Sequence, residues 1–111
     1  RVILSDALAY AAEQKPGAIV DLATLTGACV VALGNYATGA MGNNQQLTDL
    51  LVRAGDLCGE RVWPLPLWKV HREMVKTPMA DVRNTGRDGR RAGAIAGAAL
   101  LQEFVGDIPW V

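Results

Sequence analysis

The apolar run Ala18-Ile19-Val20 passes straight into Asp21-Leu22-Ala23-Thr24-Leu25-Thr26-Gly27-Ala28, and a second apolar run, Cys29-Val30-Val31-Ala32-Leu33, follows. This is the pattern of a buried strand that ends in a small-residue turn, with threonine hydroxyls and glycine backbone gathered at its carboxyl end. Ligands of open α/β sheets bind at the carboxyl ends of strands, so such a turn is a natural platform for a substrate.

Helical and extended patterns alternate along the rest of the chain. Val2, Leu4, Ala7, Leu8 and Ala11 recur at helical spacing and predict a helix over residues 3–14, which Pro16-Gly17 punctuates. A strand is expected over 18–23. Thr26 or Gly27 then caps a short helix through Leu33 that Gly34 ends. A strand over 37–42 and a polar turn at Asn43-Asn44 precede a helix over 45–58, marked by Leu47, Leu50, Leu51 and Ala54 and closed by Gly59. Pro64 and Pro66 favour an extended segment over 61–67. A helix over 68–75, a short extended stretch over 80–83, a loop over 84–91 and a small-residue helix over 92–105 complete the pattern. In that last helix Gly93, Ala94, Ala96, Gly97, Ala98 and Ala99 let a neighbouring backbone approach closely. The fold class is α/β, with part of a mixed β-sheet sandwiched by helices.

At 111 residues the chain is one domain or a piece of one, and half of it is apolar, enough for a core. The eleven basic and eleven acidic residues cancel. That balance removes the electrostatic case for nucleic acid or an anionic membrane surface. The apolar runs fall far short of the roughly 20 residues that span a bilayer, so a soluble protein is expected. Two cysteines, Cys29 and Cys58, make no disulfide framework and suit a reducing cytoplasm. Arg1 opens within a helical pattern and Ile108-Pro109-Trp110-Val111 reads as the start of a strand, so a segment truncated at both ends is expected.

Catalytic constellations are scarce. His71 is the single histidine, neither cysteine has a partner at zinc-ligand spacing, and Asp6, Asp21, Asp81 and Asp88 are scattered. These residues predict no metal site of their own. Ser5, the sole serine, lies in a helix and not in a Gly-x-Ser-x-Gly elbow. The negative end of a helix dipole beside Cys58 opposes a thiolate there. The loop Gly86-Arg87-Asp88-Gly89-Arg90-Arg91 precedes a helix start, where free N–H groups favour anions, but it is neither a Walker loop nor a dinucleotide fingerprint. Read on its own it is first a solvated basic loop, then an anion or substrate contact, and last a nucleotide site. Trp63, Trp68 and Trp110 are expected in the core or at a subunit interface.

Five segments in order resemble the leucine aminopeptidase (cytosol aminopeptidase) family. Arg1-Val2-Ile3-Leu4-Ser5-Asp6-Ala7-Leu8-Ala9-Tyr10 is similar to the stretch just after the family's Asn-Thr-Asp-Ala-Glu-Gly sequence. The stretch from Asp21 to Ala28 resembles its Ala-Thr-Leu-Thr-Gly-Ala element, and Gly59-Glu60-Arg61-Val62-Trp63-Pro64-Leu65-Pro66-Leu67 its Gly-x-Arg-x-Trp-x-x-Pro-Leu segment. Ala80-Asp81-Val82-Arg83-Asn84-Thr85-Gly86 and the run from Ala92 through Phe104 are similar to its last two blocks.

The resemblance implies a segment of the C-terminal catalytic domain, residues 1–111, with a zinc-exopeptidase-like fold. It implies a cytoplasmic, hexameric metallopeptidase that releases N-terminal residues, leucine preferred, from peptides. Two divalent ions (zinc, manganese or magnesium) would activate the attacking water. Their ligands would all precede Arg1, so the isolated segment is expected to be inactive. Arg1 corresponds to the arginine that holds a bicarbonate ion acting as general base, a task suited to a planar, permanently charged guanidinium. Thr24, Leu25 and Gly27 correspond to the substrate platform, with the Leu25 carbonyl and Gly27 N–H aligning the peptide main chain. Thr85 falls at a usually apolar position on the edge of the specificity pocket, where its hydroxyl departs from the family pattern; the loop after it is longer and more basic than the common form, which fits a variable surface loop first and an acid-preferring or otherwise altered pocket second. A non-enzymatic fragment or assembly module, and an anion-binding module built on residues 86–91, are the competing readings.

Overall fold

In the computed structural model, which describes residues 1–87 and 91–111, Ile19 pairs in parallel with Trp110, a residue 91 positions further along the chain. The Ile19 N–H donates to the Pro109 carbonyl at 2.8 Å, the Val111 N–H to the Ile19 carbonyl at 3.1 Å, and the Asp21 N–H to the Val111 carbonyl at 3.0 Å. The strand expected over 18–23 is therefore one bridge wide. Its partner supplies main-chain groups only at residues 109–111, and beyond Asp21 the chain runs irregularly up to Thr26.

The elements in order are α1 (Val2–Glu13), α2 (Gly27–Leu33), β1 (Thr38–Ala40), α3 (Gln45–Cys58), β2 (Val62–Pro64), α4 (Lys69–Arg72) and α5 (Gly93–Gln102). Strands β1 and β2 pair in parallel, Thr38 opposite Val62 and Ala40 opposite Pro64. Pro64, which has no N–H to give, stands at the last position of β2. Helices with parallel strand pairs make the α/β class expected from the alternating pattern.

Local chemistry explains where the helices begin and end. The Asn44 side chain accepts from the Leu47 N–H at 2.9 Å and starts α3. Gly59 stops that helix in the left-handed region at φ +81°, a conformation that glycine adopts without a Cβ penalty. Thr26 caps α2 through its hydroxyl, which accepts from the Cys29 N–H at 3.4 Å. The helix expected over 68–75 closes early. After Arg72 the N–H groups of Glu73, Met74 and Val75 bond three residues back instead of four, so the chain continues as tight turns. The 92–105 helix likewise ends at Gln102 and gives way to turns.

Helix α5 is the hub. Ala94, Ala96, Gly97, Ala98, Ala99, Leu100 and Leu101 are all buried, so it is apolar nearly all round, as a central helix must be. Leu101 and Ala98 pack with Leu8, Ile19, Val105 and Trp110 in one cluster, while Ala99 and Leu100 pack with Val75 in a second. Small residues bring α2 close: a Cβ added at Gly93 would lie 3.2 Å from that of Ala28. Among the described residues no helix is long and apolar enough to cross a membrane.

Candidate functional site

Arg1 stands at the N-cap position of α1, half-buried, and its guanidinium crosses to two distant carbonyls. Nη1 donates to Asn84 O at 2.7 Å and Nη2 donates to Gly93 O at 3.3 Å. A guanidinium has five N–H donors, and among the described residues two are spent on these carbonyls and three are left. The ion pairs among the described residues join Arg72 to Glu103 and Lys76 to Glu73, and Arg1 belongs to neither. Among the described residues its charge is held in place by neutral carbonyls alone, an arrangement with room for an anion.

Gly97 of α5 marks where the turn at residues 24–27 meets this arginine. A side chain there would touch Leu25 Cδ2 at 3.0 Å, Thr26 Cγ2 at 3.4 Å and Arg1 Cζ at 3.5 Å. Leu25 and Arg1 thus both lie against the face of this glycine where a side chain would stand. Thr85 follows Asn84, whose carbonyl Arg1 grips, and is exposed. Of the five residues expected at the site, Arg1 reaches the Gly93 carbonyl at the start of α5, Leu25 lies against Gly97 in its middle, and Thr85 follows Asn84. Thr24 and Gly27 are exposed on either side of Leu25 and Thr26.

The turn at residues 24–27 forms one wall of a groove of about 470 Å³, whose other walls include Gly39, Met41, Ala98 and Val111. Gly27 is exposed, and apart from its chain neighbours and its own helix no atom lies within 4 Å of where its Cβ would be. Arg1 and Thr85 do not line this groove. The structure therefore divides the expected site into a grooved platform and a charged corner that meet at Gly97.

Two residues at this sheet end escape a reading of the sequence. Asp21, half-buried on the groove, accepts a hydrogen bond from Trp110 Nε1. Burial pushes its carboxyl above the usual value and the indole hydrogen bond draws it partly back. Asn43, placed in an ordinary polar turn by the sequence, is a cross-brace: its Nδ2 donates to Ile108 O at 2.9 Å and its Oδ1 accepts from Trp110 N at 2.8 Å. The only local signals were a carboxylate at the end of an apolar run and an asparagine in a turn. Neither names a partner 60 to 90 residues away.

The remaining candidates have structural occupations. The Ser5 hydroxyl donates to Val2 O at 2.7 Å within α1. His71 Nδ1 accepts from the Trp68 N–H at 3.0 Å, and the two rings stack with centroids 5.4 Å apart. Trp110 is buried as expected, whereas Trp63 and Trp68 are 61% and 66% exposed and belong to no core of this chain. Cys29 is half-buried and Cys58 exposed, both as free thiols. Of the basic loop, Asp88, Gly89 and Arg90 lie outside the described residues. Among the described residues, no three His, Cys, Asp or Glu side chains come together in a group fit to hold a metal ion.

The profile of the cytosol aminopeptidase family's catalytic domain matches residues 1–111. A probable cytosol aminopeptidase of Roseiflexus castenholzii is 57% identical over 110 residues, covering 99% of this chain and 22% of that protein. Probable cytosol aminopeptidases of Geobacter sulfurreducens and Rhodopirellula baltica are 54% and 51% identical, again over 22% of their lengths. The chain spans about a fifth of the length of these curated relatives.

Proposed function

Since the chain belongs to the cytosol aminopeptidase family, we propose that the protein containing it is a metal-dependent aminopeptidase that releases N-terminal residues, leucine preferred, from peptides. The observation that carries this reading is the convergence of Arg1 and Leu25 on Gly97 in a chain matched along its whole length by the family's catalytic domain. Residues 1–111 form the later part of that domain. The enzyme works in the cytoplasm as a homohexamer, and its partners are peptide substrates, with no nucleic acid or membrane.

The described residues do not fit the two divalent ions (zinc, manganese or magnesium), because no cluster of suitable ligands exists among them. The metal cage belongs to polypeptide outside residues 1–111, and the isolated segment is inactive. Arg1 does fit bicarbonate: a fixed cation with three N–H donors unspent among the described residues can grip a planar anion through two parallel bonds. Bound there, bicarbonate supplies a general base. Thr24, Leu25 and Gly27 supply alignment, the Leu25 carbonyl accepting from the peptide and the Gly27 N–H donating to it. Main-chain groups suit this because every peptide offers the same partners whatever its side chains. Thr85, exposed beside the Arg1 corner, contacts the substrate side chain.

The test is hydrolysis of leucine amide by the full-length protein loaded with Mn²⁺. Activity should vanish on chelation, return with metal, and fall by about 100-fold or more in Arg1→Ala. Chelator-resistant hydrolysis, or full activity without the guanidinium, would sink the proposal.

A further inference from the structure

Residues 83–87 form an arch whose two feet rest on one turn. The Arg83 N–H donates to Val75 O at 2.7 Å and the Arg87 N–H donates to Met74 O at 3.0 Å. Under the crown Gly86 is buried, and a Cβ there would meet Met74 Cε at 3.3 Å and Ala96 Cβ at 3.4 Å. Val75, only 1% exposed, locks the turn to Ala99 and Leu100 of α5. The arch is thus tied to the turn and the turn to the central helix. At the crown, Asn84 gives its carbonyl to Arg1 Nη1, and Thr85 is the next residue. The anion anchor and the side-chain selector share one mount.

We propose that Met74 is a positioning residue that, through this arch, fixes Arg1 and Thr85 relative to each other; this rests on the roles given above to those two residues. Met74 supplies both the carbonyl under one foot and the side chain against Gly86. An unbranched thioether chain follows the flat surface a glycine presents, and shortening it leaves a void beneath the crown. The Asn84 carbonyl then moves, and a bidentate fork tolerates little misplacement. Because one mount carries two functions, loosening it changes both together.

The experiment compares Met74→Ala and Met74→Leu in the full-length protein. Bicarbonate affinity is read by calorimetry with sodium bicarbonate, and selectivity by the leucine-to-alanine ratio of kcat/KM on amino-acid amides. Met74→Ala should weaken bicarbonate binding by about 3- to 10-fold and lower the selectivity ratio by a similar factor, while Met74→Leu stays within about two-fold of the wild type. Gly86→Ala approaches the same contact from the other side and should move both quantities in the same direction. Asn44→Ala, which removes a cap on α3, should lower the melting temperature and move neither. If Met74→Ala and Gly86→Ala leave both quantities unchanged, or change one alone, the proposal is overturned. A wild-type protein that binds no bicarbonate would overturn the reading of Arg1 and this proposal with it. Wild-type binding that both variants preserve overturns the role of Met74 only.

Discussion

The indole N–H of Trp110 donates to the Asp21 carboxylate, so the two segments bridged at Ile19 and Trp110 are joined by side chains as well as by main chain. Burial of Asp21 raises its pKa above 3.8 despite that hydrogen bond. Between the unfolded value and the raised folded one, the native state holds a proton that the unfolded chain has lost. Stability from this group therefore falls as pH rises through that window and stays at its lower level at neutral pH. Asp21→Asn keeps an oxygen for the indole and removes the charge, so its stability should show no such descent and at pH 7 should equal or exceed that of the wild type. Asp21→Ala strands a buried donor and should cost about 1–3 kcal/mol. Urea unfolding of the full-length protein from pH 4 to 7 separates the variants, and an Asp21→Asn protein as weak as Asp21→Ala would refute the assignment.

Asn43 is exposed, yet its side chain makes two hydrogen bonds to the segment that carries Trp110, and its own N–H makes a third. Asn43→Ala should lower stability by about 2–3 kcal/mol, since two bonds disappear and the Trp110 N–H loses its acceptor. Its neighbour Asn44 acts locally, and Asn44→Ala should cost about 1 kcal/mol as the loss of one cap. Chemical unfolding of the two variants should rank them in that order. Equal losses would mean that Asn43 is only a turn residue.

Lys15 ends α1 with φ +51°, in the left-handed region that side chains disfavour. Its exposed side chain makes no hydrogen bond or ion pair among the described residues, so Lys15→Gly should raise stability by about 0.5–1 kcal/mol. A thermal melt showing a loss instead would mean that the side chain makes a contact worth more than the backbone strain.

The helices were legible because their ends are written locally. Asn44 and Gly59 bracket α3 at the residues expected, and Thr26 with Gly34 bracket α2. Strands carry no such local stop. The pairing of residues 19 and 110 depends on a partner at the other end of the chain, so a six-residue expectation became a single bridge. The groove wall at 24–27 was legible as a small-residue turn after an apolar run. That Arg1 leans on Asn84 and Gly93 was not, because nothing in the composition of either segment encodes a bond across more than 80 residues.

Thr85 offers the sharpest functional test, because the arch holds its backbone still while its side chain remains exposed. A hydroxyl beside a leucine side chain adds no apolar contact and retains water that a hydrocarbon would displace. Thr85→Ile keeps the β-branch, so the backbone preference is little changed, and adds apolar surface at the edge of the proposed pocket. The kcat/KM for leucine amide relative to alanine amide should rise by about 3- to 10-fold, within the range that one or two methylene contacts supply. Bicarbonate affinity should not move, since the substitution leaves the Asn84 carbonyl where it is. An unchanged ratio would place Thr85 outside the substrate pocket, and a change in anion binding without a change in the ratio would make it part of the Arg1 corner instead.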